Sequence, residues 1–562
     1  MNIRSQQKKF YLTLIFVCLC GLSAFTSFAA QPEDTKTGET TETWAITATT
    51  FKLAGEKEAR NVKLNWMQRE DVDLYKVYRD GEFIGEAKGN TYDDYDLAVG
   101  KTFTYHVEAF KDGKKVETAI SQQATTFTPV GEVEVYDNLN GKYISKGSTN
   151  KPQGMKIGSL YYSYKMENTE KNVNGQSLKG WMASESYSPT GLDGSWSTPR
   201  ELAFYPNVNF EGIAFRHNPK TGKVILSAHY EDEEGYSAAK IYLAQITPKG
   251  ELEVGTMERP LGHESRDQSL FIDDDNTAYL LSATNMNSDI NIYKLDNSWT
   301  KPVSLVNTIC KGLQDGEYYF FSSKASGWYP SQTVYTATTD LGGEWTPMRE
   351  IGNNSTFDAQ FNRISMVGTS CGVWSYHWGA QREHKTPDGN FPRISIAAFN
   401  QGYASMDYYR YLEFNDKYGI IPVQNGKNLT LNSPATSTVS GAKGVKADCI
   451  TDGASLESSA FFQKSSNAPT GTPYILAVDM QKNARISEIN LSTRLVNGSE
   501  AAYKYTIEGS TDGKSYKMLV DGRQNWQIGF LILNIEDPAS YRYLRLRVYG
   551  VVNVHKGNSA MW

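Results

Sequence analysis

Ser265-Arg266-Asp267-Gln268-Ser269-Leu270-Phe271-Ile272, closed by the acidic turn Asp273-Asp274-Asp275, is the stretch whose reading decides the fold. It reads as a buried strand with a charged residue at its start, followed by a tight turn. About forty residues on, the scheme recurs around Gly316-Glu317-Tyr318-Tyr319, with Ser326-Gly327-Trp328 behind it. Strands with turns near Asn140-Gly141, Asp193-Gly194, Thr221-Gly222, Asp275-Asn276, Asp315-Gly316 and Gly342-Gly343 extend the pattern from about 130 to 424. Helical periodicity is missing throughout. Repeated short sheets of this kind indicate a β-propeller. Aromatic runs such as Leu160-Tyr161-Tyr162-Ser163-Tyr164 and Tyr318-Tyr319-Phe320-Phe321 then belong mainly to blade cores.

On either side the character changes. From Trp44 to about Thr128 the chain shows Val62-Leu64-Trp66, then Tyr75-Val77 running into an Arg79-Asp80-Gly81 hairpin turn, then Phe103-Tyr105-Val107-Ala109. This order resembles a fibronectin type III domain over residues 43–129, a sandwich that usually serves as a spacer. From Lys427 to Trp562 come Asp452-Gly453, Tyr474 to Asp479, Ile486 to Ile489, Tyr503 to Gly509, a turn at Asp512-Gly513, and Tyr543 to Val548. That series resembles a discoidin-like (F5/8 type C) carbohydrate-binding module of family 32. The chain ends at Trp562, where the family supplies one more closing strand, so an open sheet edge is expected. The resemblance leaves a structural calcium ion in this module open.

A chain of 562 residues exceeds one core. Its aromatic content of 12%, including 35 tyrosines, favours contact with sugars over membrane or nucleic acid. The net charge of −6 comes from interspersed charges and argues against a polyanion partner. Lys8, Lys9, the apolar run Phe10 to Phe25 and Ser27-Phe28-Ala29 read as a secretory signal over residues 1–30, with a polar spacer at 31–42. A secreted, periplasmic or cell-surface protein is expected, with no other run long enough to span a bilayer. Of five cysteines, Cys18 and Cys20 lie in the signal. Cys310, Cys371 and Cys449 are odd in number and distant in sequence, so free thiols are expected rather than a disulfide framework.

The central segment resembles the propeller of glycoside hydrolase family 43, in its exo-β-1,3-galactanase-like branch. The resemblance implies an all-β chain: a five-bladed propeller between an N-terminal β-sandwich and a C-terminal jelly-roll β-sandwich. It also implies a galactan-like oligo- or polysaccharide partner. Glu211, in Phe210-Glu211-Gly212-Ile213, falls where the branch has a glutamate that grips sugar hydroxyls, although the Arg-Pro neighbours are gone. Asp267 matches the aspartate that raises the acid's pKa and orients it. Gln360 falls at a late Ser-Gln position that in this branch places the attacking water, with Ala359 for the serine. Trp328 matches a pocket aromatic. At the proton donor the chain reads Val306-Asn307-Thr308, without a carboxylate; Asn307 can hydrogen-bond a sugar, but an amide is no acid for a leaving alcohol. The branch's His-Gly-Gly-Gly-Ile segment is also replaced, by Lys151-Pro152-Gln153-Gly154-Met155.

Among substitutes for the missing acid, Glu264 adjoins the Asp267 strand start and ranks ahead of Glu317, while Glu231 to Glu234 read as a solvated loop. Trp374, Tyr376, His377 and Trp378 read as blade packing. His377 with His384 is too sparse for a metal site, and Asp273 to Asp275 is a turn rather than a calcium loop. Three functions follow: a glycan-binding protein with weakened or lost hydrolysis, an inverting exo-hydrolase with a relocated acid, and a cell-envelope adhesion or scaffold protein.

Overall fold

A computed structural model of the chain describes residues 44–145, 152–232, 237–285, 289–309, 318–323, 330–338, 340–353, 355–378, 390–456, 459, 461–465, 473–493, 501–553 and 558–560. The described architecture is all-β. Five antiparallel sheets follow one another along the chain, and each is a meander in which every strand pairs with its successor.

Blade one is Met155–Ile157, Leu160–Val173, Gln176–Ser188 and Arg200–Pro206. Blade two is Val208–Asn218, Lys223–Asp232, Lys240–Ile246 and Leu252–Glu258. Blade three is Gln268–Ile272, Ala278–Thr284, Asp289–Leu295 and Pro302–Ile309. The described part of blade four is Tyr318–Ser323, Thr333–Thr338 and Arg349–Ile351, and blade five is Gln360–Val367, Ser370–Trp378, Asn390–Asn400 and Tyr403–Tyr408. The first strands of blades two and three lie against each other. That places them innermost, around the propeller axis.

Blades adhere face to face because alternate side chains of a strand point to opposite sides. Ile225, Ile241 and Leu243 of blade two pack on Leu270, Leu280, Tyr293 and Leu295 of blade three. Phe321, Tyr335 and Ile351 of blade four pack on Val373, Ala397, Ala404 and Met406 of blade five. Phe321 is therefore a core residue, as its aromatic run suggests.

The N-terminal sandwich sets Ile46–Leu53, Asn61–Trp66 and Thr91–Asp94 against Glu82–Ala87, Leu74–Arg79, Thr102–Lys111, Lys114–Thr118 and Gln122–Thr125. Trp66 and Tyr75 meet in its core with ring centroids 5.3 Å apart. The Arg79-Asp80-Gly81 turn takes positive φ at both Asp80 (51°) and Gly81 (84°), as a tight two-residue hairpin requires.

The first of these sheets does not end with the sandwich. Ile46–Leu53 pairs in parallel with Gly419–Gln424, which is followed in the sheet by Tyr411–Asn415, Glu134–Asp137 and Lys142–Ser145. The segments that enter and leave the propeller thus lie side by side in a seven-stranded sheet. Asn138 locks this clasp to blade five, donating to the carbonyls of Ile394 (2.6 Å) and Tyr409 (3.0 Å) and accepting from the Ile394 amide (2.8 Å).

The C-terminal unit is a jelly-roll sandwich. Its larger sheet runs Ala435–Ser437, Tyr474–Arg485, Ser540–Asn553, Ala501–Ser510, Lys517–Gly522, with Asn558–Ala560 also paired to Ser540–Asn553. Glu488–Ser492 and Phe530–Asn534 face it as a second sheet, and Leu531, Tyr505 and Ile507 fill the space between. The strand Asn558–Ala560 pairs with the end of Ser540–Asn553, an interior strand of this sheet. No helix among the described residues is long and apolar enough to cross a membrane. Cys371 and Cys449 are free thiols, while Cys310 lies outside the described residues.

Candidate functional site

Glu211 lies on the innermost strand of blade two, opposite His229 on the second strand. The register shifts between Glu211 and Ala214, so the strand bulges there. Bulges re-aim side chains near active sites. Gly212 supports this one with a φ of 59° while its carbonyl accepts a 2.6 Å bond from the Gln268 amide of blade three. The bulge thereby ties Glu211 to the strand start that carries Asp267.

His229 is buried between two carboxylates. Its Nε2 stands 2.7 Å from Glu231 and its Nδ1 3.7 Å from Glu211. Burial pulls the imidazole's pKa down, but hydrogen bonding to Glu211 and Glu231 and their negative charge outweigh it, so the net shift is upward. Glu231 is itself only 2% exposed and accepts the backbone N–H groups of Ala238 (2.9 Å) and Ala239 (3.1 Å). Arg266 Nη1 approaches Glu231 at 3.8 Å, and Arg266 Nε faces Glu264 at 3.6 Å.

Glu231 is thus a buried anchor rather than part of a solvated loop. The signal was present in Ala228-His229-Tyr230-Glu231, where strand alternation puts His229 and Glu231 on one face. Glu233 and Glu234 lie outside the described residues.

Asp267 completes the group. Its carboxylate reaches solvent, yet protein surrounds most of it, and burial raises its pKa. Glu211 pushes in the same direction, while His229 and Arg266 pull it down. The backbone flanking it is fixed: Ala283 N–H donates to the Asp267 carbonyl (2.8 Å), Arg266 N–H to the Ala283 carbonyl (2.9 Å), and Ser265 Oγ meets Ser282 Oγ at 2.6 Å. Glu211, on the innermost strand of blade two, is therefore brought together with Asp267 and the Glu264–Arg266 pair in the segment that leads into the innermost strand of blade three.

The other sequence candidates are distributed differently. Gln360 opens the innermost strand of blade five, opposite Tyr376. Asn307 lies on the outermost strand of blade three, and its amide donates to the carbonyls of Gly343 (2.8 Å) and Leu341 (3.3 Å) while its oxygen accepts the Thr308 N–H (2.8 Å). It is engaged in holding the 341–343 turn. Trp328, Glu317 and His384 lie outside the described residues. His377 is fully buried, bonded to Asp358 at 3.0 Å and stacked on Phe391 at 4.8 Å. Among the described residues no group of three or more His, Cys, Asp or Glu side chains could hold a metal ion.

The His229 shift has a thermal consequence. A folded-state pKa above the ordinary 6.5 contributes stability in full below that value, and the contribution is lost as pH rises through the folded pKa. Asp267, also raised, adds a loss of the same sign at lower pH. The melting temperature is expected to fall as pH rises from about 6.5 toward alkaline values, and a His229→Gln variant is expected to flatten that slope. Thermal scans across pH check it.

No curated protein matches the chain. Among solved structures it is similar to an exo-β-1,3-galactanase from Clostridium thermocellum, at 20% identity over 68% of this chain and 95% of that one, with a TM-score of 0.39. It is also similar to an exo-β-1,3-galactanase from Phanerochaete chrysosporium, at 17% identity over 76% of this chain and 97% of that one, with a TM-score of 0.40. Residues 433–561, which form the C-terminal jelly roll, match the family model of the F5/8 type C domain.

Proposed function

We propose that the chain is an exported glycan-binding protein whose propeller takes galactan-type polysaccharide side chains in a glycosidase-like site and has weakened or lost their hydrolysis. The observation that carries this reading is the convergence of Glu211, on the innermost strand of blade two, and Asp267, just before the innermost strand of blade three, buttressed by His229, Glu231 and Arg266. Carboxylates in such a place bind sugar hydroxyls through charge-assisted hydrogen bonds. Asn307 lies on the outermost strand of blade three, with its amide committed to two backbone carbonyls, and presents no acid to the innermost strands. Glu264, the nearest substitute, faces Arg266. Without a general acid the reaction loses roughly a hundredfold to ten-thousandfold. The N-terminal fibronectin type III-like sandwich acts as a spacer in this reading, and the F5/8 type C domain offers a second glycan contact.

A hydrolytic reading is favoured by one observation. Burial and the neighbouring Glu211 charge raise the pKa of Asp267, and a carboxyl with a raised pKa is what glycoside hydrolysis uses as its acid. Incubation with β-1,3-galactan and β-1,3-galactotriose, measuring bound ligand and released galactose, decides between them. Saturable binding without release is expected. Release abolished by Asp267→Asn would replace the binding reading with the hydrolytic one, and absence of binding would remove both in favour of a scaffold.

A further inference from the structure

Between blade four and the innermost strand of blade five, the chain makes a turn of unusual conformation. Thr356, Phe357 and Asp358 have φ values of 44°, 56° and 62°. The Ala359 N–H donates to the Ser355 carbonyl at 3.0 Å. This is one turn of left-handed helix made entirely from residues that carry a Cβ, and each costs roughly 1–2 kcal/mol there. Such a conformation persists only where its surroundings over-determine it.

The propeller supplies part of that constraint. Asn353 Oδ1 accepts the amides of Ser355 (3.2 Å) and Phe357 (2.7 Å). The Thr356 hydroxyl bonds to the Ser331 carbonyl and the Thr333 hydroxyl. The Asp358 carboxylate meets His377 at 3.0 Å and Arg393 at 3.8 Å, and Arg393 also donates to the Phe357 carbonyl at 2.7 Å.

The remaining constraint comes from the C-terminal domain. The Phe530 N–H donates to Ser355 Oγ at 3.0 Å. Its ring stands edge-on to Phe357 at 5.4 Å and meets Tyr408 at 6.1 Å. Gly529 has a φ of 73°, and any Cβ there would run into the Ser355 side chain. A second tie lies nearby, where Asn425 donates to Glu488 at 3.1 Å.

We propose that the F5/8 type C domain is a positioning element for the propeller site: Gly529 and Phe530 clamp the left-handed turn at 355–358 and so fix where Gln360 enters blade five. The functional side of this inference rests on Gln360 belonging to the glycan site. One residue, Ala359, separates the clamped turn from Gln360, so displacement of one moves the other. The domain is then seated on the propeller, not carried on a loose tether, and its loss disturbs the propeller's own site.

The test uses the full chain with Phe530→Ala, read by hydrogen exchange and by titration with β-1,3-galactotriose. Amides 355–361 are expected to exchange at least about tenfold faster, with Ser370–Trp378 unchanged, because only the local opening becomes easier. Affinity for the trisaccharide is expected to fall about fivefold, the size of coupling carried through packed contacts. Gly529→Ala provides a second variant should Phe530→Ala unfold the domain. It is expected to reproduce both effects, because its Cβ would run into the Ser355 side chain. Unchanged exchange at 355–361 in both variants would overturn the clamp. Failure of the unmodified chain to bind galactotriose would overturn the glycan reading, while exchange would still decide the clamp.

Discussion

Replacing Glu211 with glutamine is expected to weaken binding of β-1,3-galactotriose by about tenfold to a hundredfold, because a hydrogen bond to an ionised acceptor contributes about 1.5–3 kcal/mol. The substitution keeps shape and removes charge, so the bulge held by Gly212 and Gln268 stays in place. A secondary effect identifies the cause. Glu211 is one of the two carboxylates that raise the His229 pKa and one of the groups that raise the Asp267 pKa. Both shifts are expected to shrink in the variant. Titration of the His229 imidazole by NMR would report its share directly: a pKa that stays put while affinity falls would mean that Glu211 meets the sugar without coupling to the histidine. Unchanged affinity would remove Glu211 from the glycan site.

The fold was legible in the sequence because its signals are local. Strand alternation and turn residues such as Asp80-Gly81 and Asp512-Gly513 mark hairpins that the structure contains, and Tyr105, Val107 and Ala109 alternate into the sandwich core. The clasp was not legible. Pairing of Ile46–Leu53 with Gly419–Gln424 joins residues more than 360 positions apart, and neither strand carries a mark of the other. The site was legible in part for the same reason. Asp267 announces itself at a strand start and Glu211 by its place in Phe210-Glu211-Gly212-Ile213, and the structure places them together. The histidine between them did not, because its significance lies in what it faces: His229 acquires a role only once the bulge aims Glu211 toward it and the Ala238–Ala239 turn folds over Glu231. Asn307 illustrates the converse. Sequence position suggested a sugar contact, whereas its amide holds the turn at Leu341 and Gly343, a partnership that depends on the packing of blade three against blade four.

Substituting Glu231 with alanine is expected to have the largest effect on stability. Its carboxylate is the meeting point of the His229 imidazole, the Arg266 guanidinium and two backbone amides, and all of them lie in a buried region. Removing it leaves two basic groups and two amide donors without their shared acceptor. Breaking a buried charge pair from one side costs about 3–5 kcal/mol, which corresponds to a drop in melting temperature on the order of 5–10 °C for a unit of this size. Glu231→Gln separates the contributions, since an amide oxygen can still accept one donor while the charge is gone. An intermediate drop is expected for it. The pH dependence should change as well: with Glu231 neutralised, one of the groups that raise His229 is lost, and the decline in stability above pH 6.5 should be smaller and end at lower pH. Thermal scans of both variants at two pH values measure this. A Glu231→Ala protein that melts with the unmodified chain would mean that the Ala238–Ala239 turn and blade two hold together without the carboxylate, and that the His229 cluster contributes to ligand contact alone.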